Sequence, residues 1–150
     1  MKYCIVKHVE FAKSSATLKR MKGSAEMRVR YCECDPMGVV HHTVYPIWFE
    51  IGRTELLRDT GRNYRNMEQA GIFLAVVRMQ LQYRRPARYD DLLRLETTLT
   101  NVGHVKIEHT YELFRGEELL CVGNTTLACL DRDGTARQLP DGIFQLGLTP

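Results

Sequence analysis

The sequence predicts an α+β fold in which a five-stranded antiparallel sheet wraps around one long central helix. Three features lead there. Residues 45–60 are apolar over more than the single stripe expected of a surface helix. One alternating run precedes the helix, a long one follows it, and three more come after at hairpin spacing. One helix must then cover five strands, and a sheet with one apolar face curling around that helix buries both together.

Size and charge set the frame. With 150 residues and 44% apolar content, the chain is one ordinary domain able to bury a core without metal or disulfide support. No run approaches membrane-spanning length, and the N-terminus lacks the apolar block of a secretory signal, so a cytoplasmic protein is expected. Five cysteines without regular spacing read as reduced thiols. Residues 1–25 carry six basic residues against Glu10 alone, a balance of +5. The remainder holds 15 basic and 17 acidic residues, a balance of −2. The body therefore lacks the dense basic face that nucleic-acid binding needs. Residues 1–25 read as a basic N-terminal extension ahead of a domain over 26–150. A solvated arm, an extra strand over residues 3–11 and an upstream start codon all remain open.

In chain order, Met27, Val29 and Tyr31 alternate with Arg28 and Arg30, the period of a half-buried strand. Asp35-Pro36-Met37-Gly38 reads as a turn: Asp bonds its own downstream backbone, Pro fixes φ, and Gly reaches conformations closed to other residues. The helix begins near Thr43, whose hydroxyl is placed to cap the first amides, with Pro46 tolerable in the first turn. Glu50 with Arg53 and Glu55 with Arg58 are spaced to pair along one narrow face, and Gly61 ends the helix. Residues 63–70 add a short turn of helix. The strands that follow are expected at 72–84, with Val77, Met79, Leu81 and Tyr83 on the apolar face, and at 92–100, 105–114 and 119–131. His109 falls among the apolar positions of its strand and reads as a packed histidine, while Cys121 and Cys129 behave as small hydrophobes.

The Asp35-x-x-Gly38-Val39-Val40-x-His42-x-x-Tyr45 pattern, Glu50-x-x-Arg53-x-Glu55 and Pro86-Ala87-Arg88-Tyr89-Asp90-Asp91 resemble the hot-dog-fold acyl-CoA thioesterases. The resemblance is to the branch of the 4-hydroxybenzoyl-CoA thioesterases and the thioesterases encoded beside the Tol-Pal system, and it covers roughly residues 26–140. It implies hydrolysis of acyl-CoA thioesters, with Asp35 as nucleophile or general base and His42 as an auxiliary group. The amide of His42, in the turn built by Gly38, Val39, Val40, His41 and Thr43, would polarise the thioester carbonyl. Cations for the phosphates of coenzyme A would come from Arg84, Arg85 and Arg88, with His104 and Lys106 at a later turn where some family members carry a basic cluster. The resemblance further implies a homotetramer, a dimer of dimers, with sites at subunit interfaces. It implies no cofactor beyond the coenzyme A carried by the substrate.

Other readings compete. Asp35 in a turn before a helix is often only a capping residue. Cys32, Cys34, His41 and His42 match no usual zinc spacing, so no metal is expected. A hot-dog dehydratase or hydratase, and an acyl-CoA-binding module without catalysis, are the alternative functions.

Overall fold

A computed structural model describes residues 7–8 and 21–144. Its strands are β1 (Lys7–His8), β2 (Met21–Arg28), β3 (Phe73–Tyr83), β4 (Leu92–Val102), β5 (Lys106–Arg115) and β6 (Glu118–Leu130). Its helices are α1 (Val44–Arg58) and α2 (Tyr64–Gln69). The sheet order is β1-β2-β4-β5-β6-β3, and every pairing is antiparallel. Five full strands are present as expected, the last four close to their expected bounds, and β1 adds a two-residue pairing of Lys7 with Ala25 and His8 with Ser24. The rest of the strand considered for residues 3–11 lies outside the described residues.

The first full strand sits earlier in the chain than the alternation at 27–31 suggests. β2 ends at Arg28, so residues 21–25, grouped above with the extension, pair along the sheet with β4. Tyr31, expected to point inward, is instead 81% exposed. The physical reason is local: Glu33 folds back onto the Arg30 amide and closes a 3-10 turn over Tyr31–Glu33, which takes the chain out of the sheet.

Helix α1 is buried at Val44, Tyr45, Trp48, Phe49, Gly52, Arg53, Leu56 and Leu57. That spacing is one stripe, so the helix lies on its own sheet along a single face, and Ile47 on another face is 54% exposed. Two glycines let helix and sheet approach closely. A Cβ on Gly52 would stand 2.7 Å from Leu95 Cδ2, and one on Gly123 would stand 2.8 Å from Phe49 Cζ. Phe49 fills the space over Gly123 and stacks on Tyr111, with ring centroids 4.5 Å apart.

The interior divides along α1. Its N-terminal half packs on Val29, Val40, Ala87, Leu93 and Cys121, and its C-terminal half packs with Met21, Met67, Leu99, Ile107 and Cys129. β3 departs from expectation in its burial. It is an edge strand with a register shift between Val76 and Arg78, and the bulge breaks the alternation. Val77 and Tyr83 are exposed, while Met79 and Leu81 are half-buried.

Candidate active site

The segment from Arg30 to Thr43 is a short hairpin that delivers the chain into α1. Cys34 bridges Val40, the Asp35 amide donates to the Val39 carbonyl at 2.9 Å, and the His41 amide donates to the Glu33 carbonyl at 2.9 Å. At its tip the Gly38 amide donates back to the Asp35 carbonyl, and Gly38 adopts φ +75°, the left-handed region open to glycine. The Val40 amide donates to the Ala87 carbonyl at 2.9 Å, which joins the hairpin to the segment after β3.

Glu33 is the hairpin's anchor, and sequence reasoning missed it. Its carboxylate is 5% exposed. It accepts from the Arg30 amide at 2.7 Å, from Arg30 Nε and Nη2 at 3.1 and 2.8 Å, and from Trp48 Nε1 at 3.3 Å. One side chain thereby ties the hairpin to the first turns of α1. Its signal in the sequence was its place two residues before Asp35 and three after an arginine.

Asp35 is half-buried, and its Oδ1 accepts from the Met37 amide at 2.8 Å. The turn predicted from Asp-Pro-Met-Gly is present, and only one carboxylate oxygen is used to build it. Oδ2 has no hydrogen-bond partner among the described residues. The carboxylate is thus fixed in direction and still able to take a proton or attack a carbon.

The oxyanion set expected from the turn narrows when its amides are followed one by one. Those of Gly38, Val40 and His41 already donate to carbonyls, and that of Val44 donates to the His41 carbonyl at 3.0 Å. The Thr43 amide meets His41 Nδ1 at 3.4 Å. Of the amides from Gly38 to Val44, only those of Val39 and His42 have no acceptor among the described residues. Thr43 does not cap the helix: it is itself helical in conformation, and its hydroxyl bonds His41 Nδ1 at 2.7 Å. The imidazole of His41 competes successfully for that hydroxyl. The His42 ring lies against the His41 ring, centroids 4.2 Å apart, and is exposed.

Tyr83, at the end of β3, donates its hydroxyl to the His42 carbonyl at 2.9 Å and packs edge-on against Tyr45, whose hydroxyl accepts from the Ala87 amide at 3.2 Å. Burial raises both phenols above their usual range, so each stays protonated at neutral pH. The hydroxyl of Tyr83 therefore fixes the peptide that follows the free His42 amide. Sequence alternation had placed Tyr83 on an apolar face, which hid this use of its polar end.

The basic residues expected around coenzyme A are split. Arg88 reaches the Gly38 carbonyl of the hairpin at 3.3 Å, while Arg84 bonds Gln82 and Arg85 lies 3.8 Å from Glu118. His104 and Lys106 stand at the opposite end of the sheet, where the Leu139 amide caps the His104 carbonyl. An eleven-residue strand such as β4 separates the two groups by roughly 30 Å. Within one chain they do not converge. Among the described residues no three His, Cys, Asp or Glu side chains gather as metal ligands, and no helix is long and apolar enough to cross a membrane.

Comparison with known proteins places the chain in a family. A thioesterase superfamily model matches residues 37–122, beginning just after Asp35. The acyl-CoA thioesterase YbgC of Haemophilus influenzae is 32% identical over 109 residues, covering 72% of this chain and 80% of that protein. The acyl-CoA thioester hydrolase YbgC of Escherichia coli O157:H7 is 30% identical over 106 residues, covering 70% and 79%. Among solved structures, one titled a probable thioesterase from Bartonella henselae superposes with a TM-score of 0.74 at 31% identity, covering 78% of this chain and 98% of its own. A DHNA-CoA thioesterase from Staphylococcus aureus gives 0.75 at 28% identity, with 83% of each chain covered.

Proposed function

The chain belongs to the thioesterase superfamily, and from that premise we propose that it hydrolyses acyl-CoA thioesters to the free acid and coenzyme A, using Asp35. The observation that carries the assignment of residues is the pairing, in one hairpin, of a carboxylate with a free oxygen and a backbone amide with no acceptor. A thioester carbonyl gains negative charge on oxygen as it is attacked. The His42 N–H, held by the clamp on its own carbonyl, is available to receive that charge. Asp35 then acts in one of two ways. It attacks the carbonyl carbon, expelling the thiolate and leaving a mixed anhydride that water opens, or it takes a proton from a water that attacks directly. Removing one such donor elsewhere has cost about 10²–10³ in rate, the scale on which the His42 amide would matter. His42's imidazole serves as an auxiliary group that orients water or the carboxylate.

Within the superfamily, the motif around Asp35 favours the 4-hydroxybenzoyl-CoA and Tol-Pal-associated branch. The phosphates of coenzyme A would meet Arg84, Arg85 and Arg88 at the hairpin's rim. His104 and Lys106 join them only if a second copy supplies its far end. The exposed β3 edge, with Val76, Val77 and Tyr83 uncovered, suits antiparallel pairing with a twin, and a homotetramer of two such dimers fits that need. A cytoplasmic location accords with an acyl-CoA substrate.

The test is release of free thiol from a panel of acyl-CoAs, short to long and including benzoyl and 4-hydroxybenzoyl. Turnover on at least one member supports the hydrolase. Saturable binding of all members with no thiol released would move the assignment to a binding module.

A further inference from the structure

Two peptide units meet at His42, and three of their four polar groups are already held. The His41 carbonyl accepts from the Val44 amide at 3.0 Å, the His42 carbonyl accepts from the Tyr83 hydroxyl at 2.9 Å, and the Thr43 amide reaches His41 Nδ1 at 3.4 Å. The fourth group is the His42 N–H. Because each peptide unit is planar, its direction is set by what holds the other three. One of those three holds comes from the side chain of the residue just before His42.

The His41 ring takes two donors from one residue. An amide N–H can only donate, so the contact with the Thr43 amide requires an unprotonated Nδ1 and puts the ring proton on Nε2. The Thr43 hydroxyl then donates to the same nitrogen at 2.7 Å. Thr43 is helical, with φ −72° and ψ −14°, whereas a threonine that caps a helix with its own hydroxyl is normally extended. The lone pair of the ring thus holds Thr43 inside the helix. Without it the hydroxyl is free to turn onto the helix amides, and the extended conformation this needs rotates the His42–Thr43 peptide away from Tyr83. The His41 backbone is itself fixed, its amide donating to the Glu33 carbonyl at 2.9 Å, so the ring works from a rigid base.

We propose that His41 is a positioning residue for the reaction: by holding the amide and the hydroxyl of Thr43, its Nδ1 aims the His42 N–H at the thioester oxygen without itself touching substrate. The role belongs to the acceptor on the ring and not to the ring's bulk. The inference rests on the proposed hydrolysis for its effect on rate, while the tautomer it requires is read without turnover.

Wild type, His41→Phe and His41→Asn are compared as full-length proteins on one acyl-CoA. Phenylalanine keeps a ring beside that of His42, 4.2 Å away in the wild type, but has no acceptor. Asparagine loses the ring and places an accepting oxygen as many bonds from the backbone as Nδ1. His41→Phe should lower kcat about 2- to 10-fold with KM little changed, the scale of one positioning hydrogen bond. His41→Asn should stay within about 2-fold of wild type on the same scale. Thr43 is exposed, so water replaces the lost bonds and Tm should move by no more than about 2 °C in either variant. In mildly alkaline buffer, ¹⁵N spectra of the wild-type His41 ring should show a bare Nδ1 and a protonated Nε2. A ring protonated on Nδ1 overturns the proposal, as does wild-type kcat in His41→Phe or a His41→Asn protein no faster than His41→Phe. Wild type that releases no thiol from any acyl-CoA instead sinks the hydrolase reading, and the catalytic role of His41 falls with it.

Discussion

Replacing Glu33 with alanine tests whether this buried carboxylate, rather than the turn sequence alone, holds the hairpin on α1. The substitution removes four hydrogen bonds at once. The Arg30 guanidinium is half-exposed and finds water, so its part in the loss is small. The Arg30 amide is part-buried and the Trp48 indole N–H is buried, and each donor left unmatched costs about 1–3 kcal/mol. The total is about 2–4 kcal/mol after allowing for partial relaxation. For a domain of this size, 1 kcal/mol moves Tm by about 2–4 °C, so melting should fall by roughly 5–15 °C. Acyl-CoA hydrolysis measured well below that melting point should also fall, because Asp35 and His42 flank the loosened anchor. Glu33→Gln, which keeps one accepting oxygen, should show a smaller loss of both. A Glu33→Ala protein that melts within about 1 °C of wild type refutes the anchoring role.

Tyr83→Phe deletes the clamp on the His42 carbonyl, worth about 0.5–1.5 kcal/mol, and should lower kcat about 2- to 10-fold with KM little changed in steady-state kinetics. Gly123→Ala should drive a methyl into the Phe49 ring and destabilise by about 1–3 kcal/mol, read as a lower urea midpoint at unchanged slope. His109 is neutral when folded, with its pKa at about 3 against 6.5 for the unfolded group. The unfolded chain therefore binds the extra proton between those values, and stability falls as pH drops from 6.5 toward 3, by up to about 1.4 kcal/mol per unit. His109→Gln should flatten that part of an acid-unfolding series.

The fold was legible because its signals are periodic. The alternation at 92–100, 105–114 and 119–131 and the Gly-containing connections between those runs required antiparallel neighbours, and the structure extends each strand by only one or two residues or trims it by as little. Asp35 and its turn were legible because Asp, Pro and Gly act on their own backbone, and Oδ1 indeed meets the Met37 amide. What escaped the sequence depends on partners distant in the chain. Glu33 looks like an ordinary polar residue until Trp48 arrives beside it. Arg53 looks like the exposed half of an ion pair with Glu50, and the pair does form, yet the arginine is the buried member. Thr43 looks like a helix cap, and only the neighbouring His41 ring diverts its hydroxyl. Val77 and Tyr83 look like core until β3 takes an edge position with a bulge.

On the proposed mechanism Asp35 performs the chemistry and the hairpin displays it. The direct measurement is thiol release from the best acyl-CoA substrate by wild type and Asp35→Asn side by side, with melting temperature and oligomer size recorded for both. Asparagine keeps an oxygen able to accept from the Met37 amide, so the turn should persist and both structural readings should match wild type. With Asp35 as the reacting carboxylate, kcat should then fall by at least about 10²-fold, the lower end of the scale for general acid–base catalysis. An Asp35→Asn protein that hydrolyses acyl-CoA at the wild-type rate contradicts it.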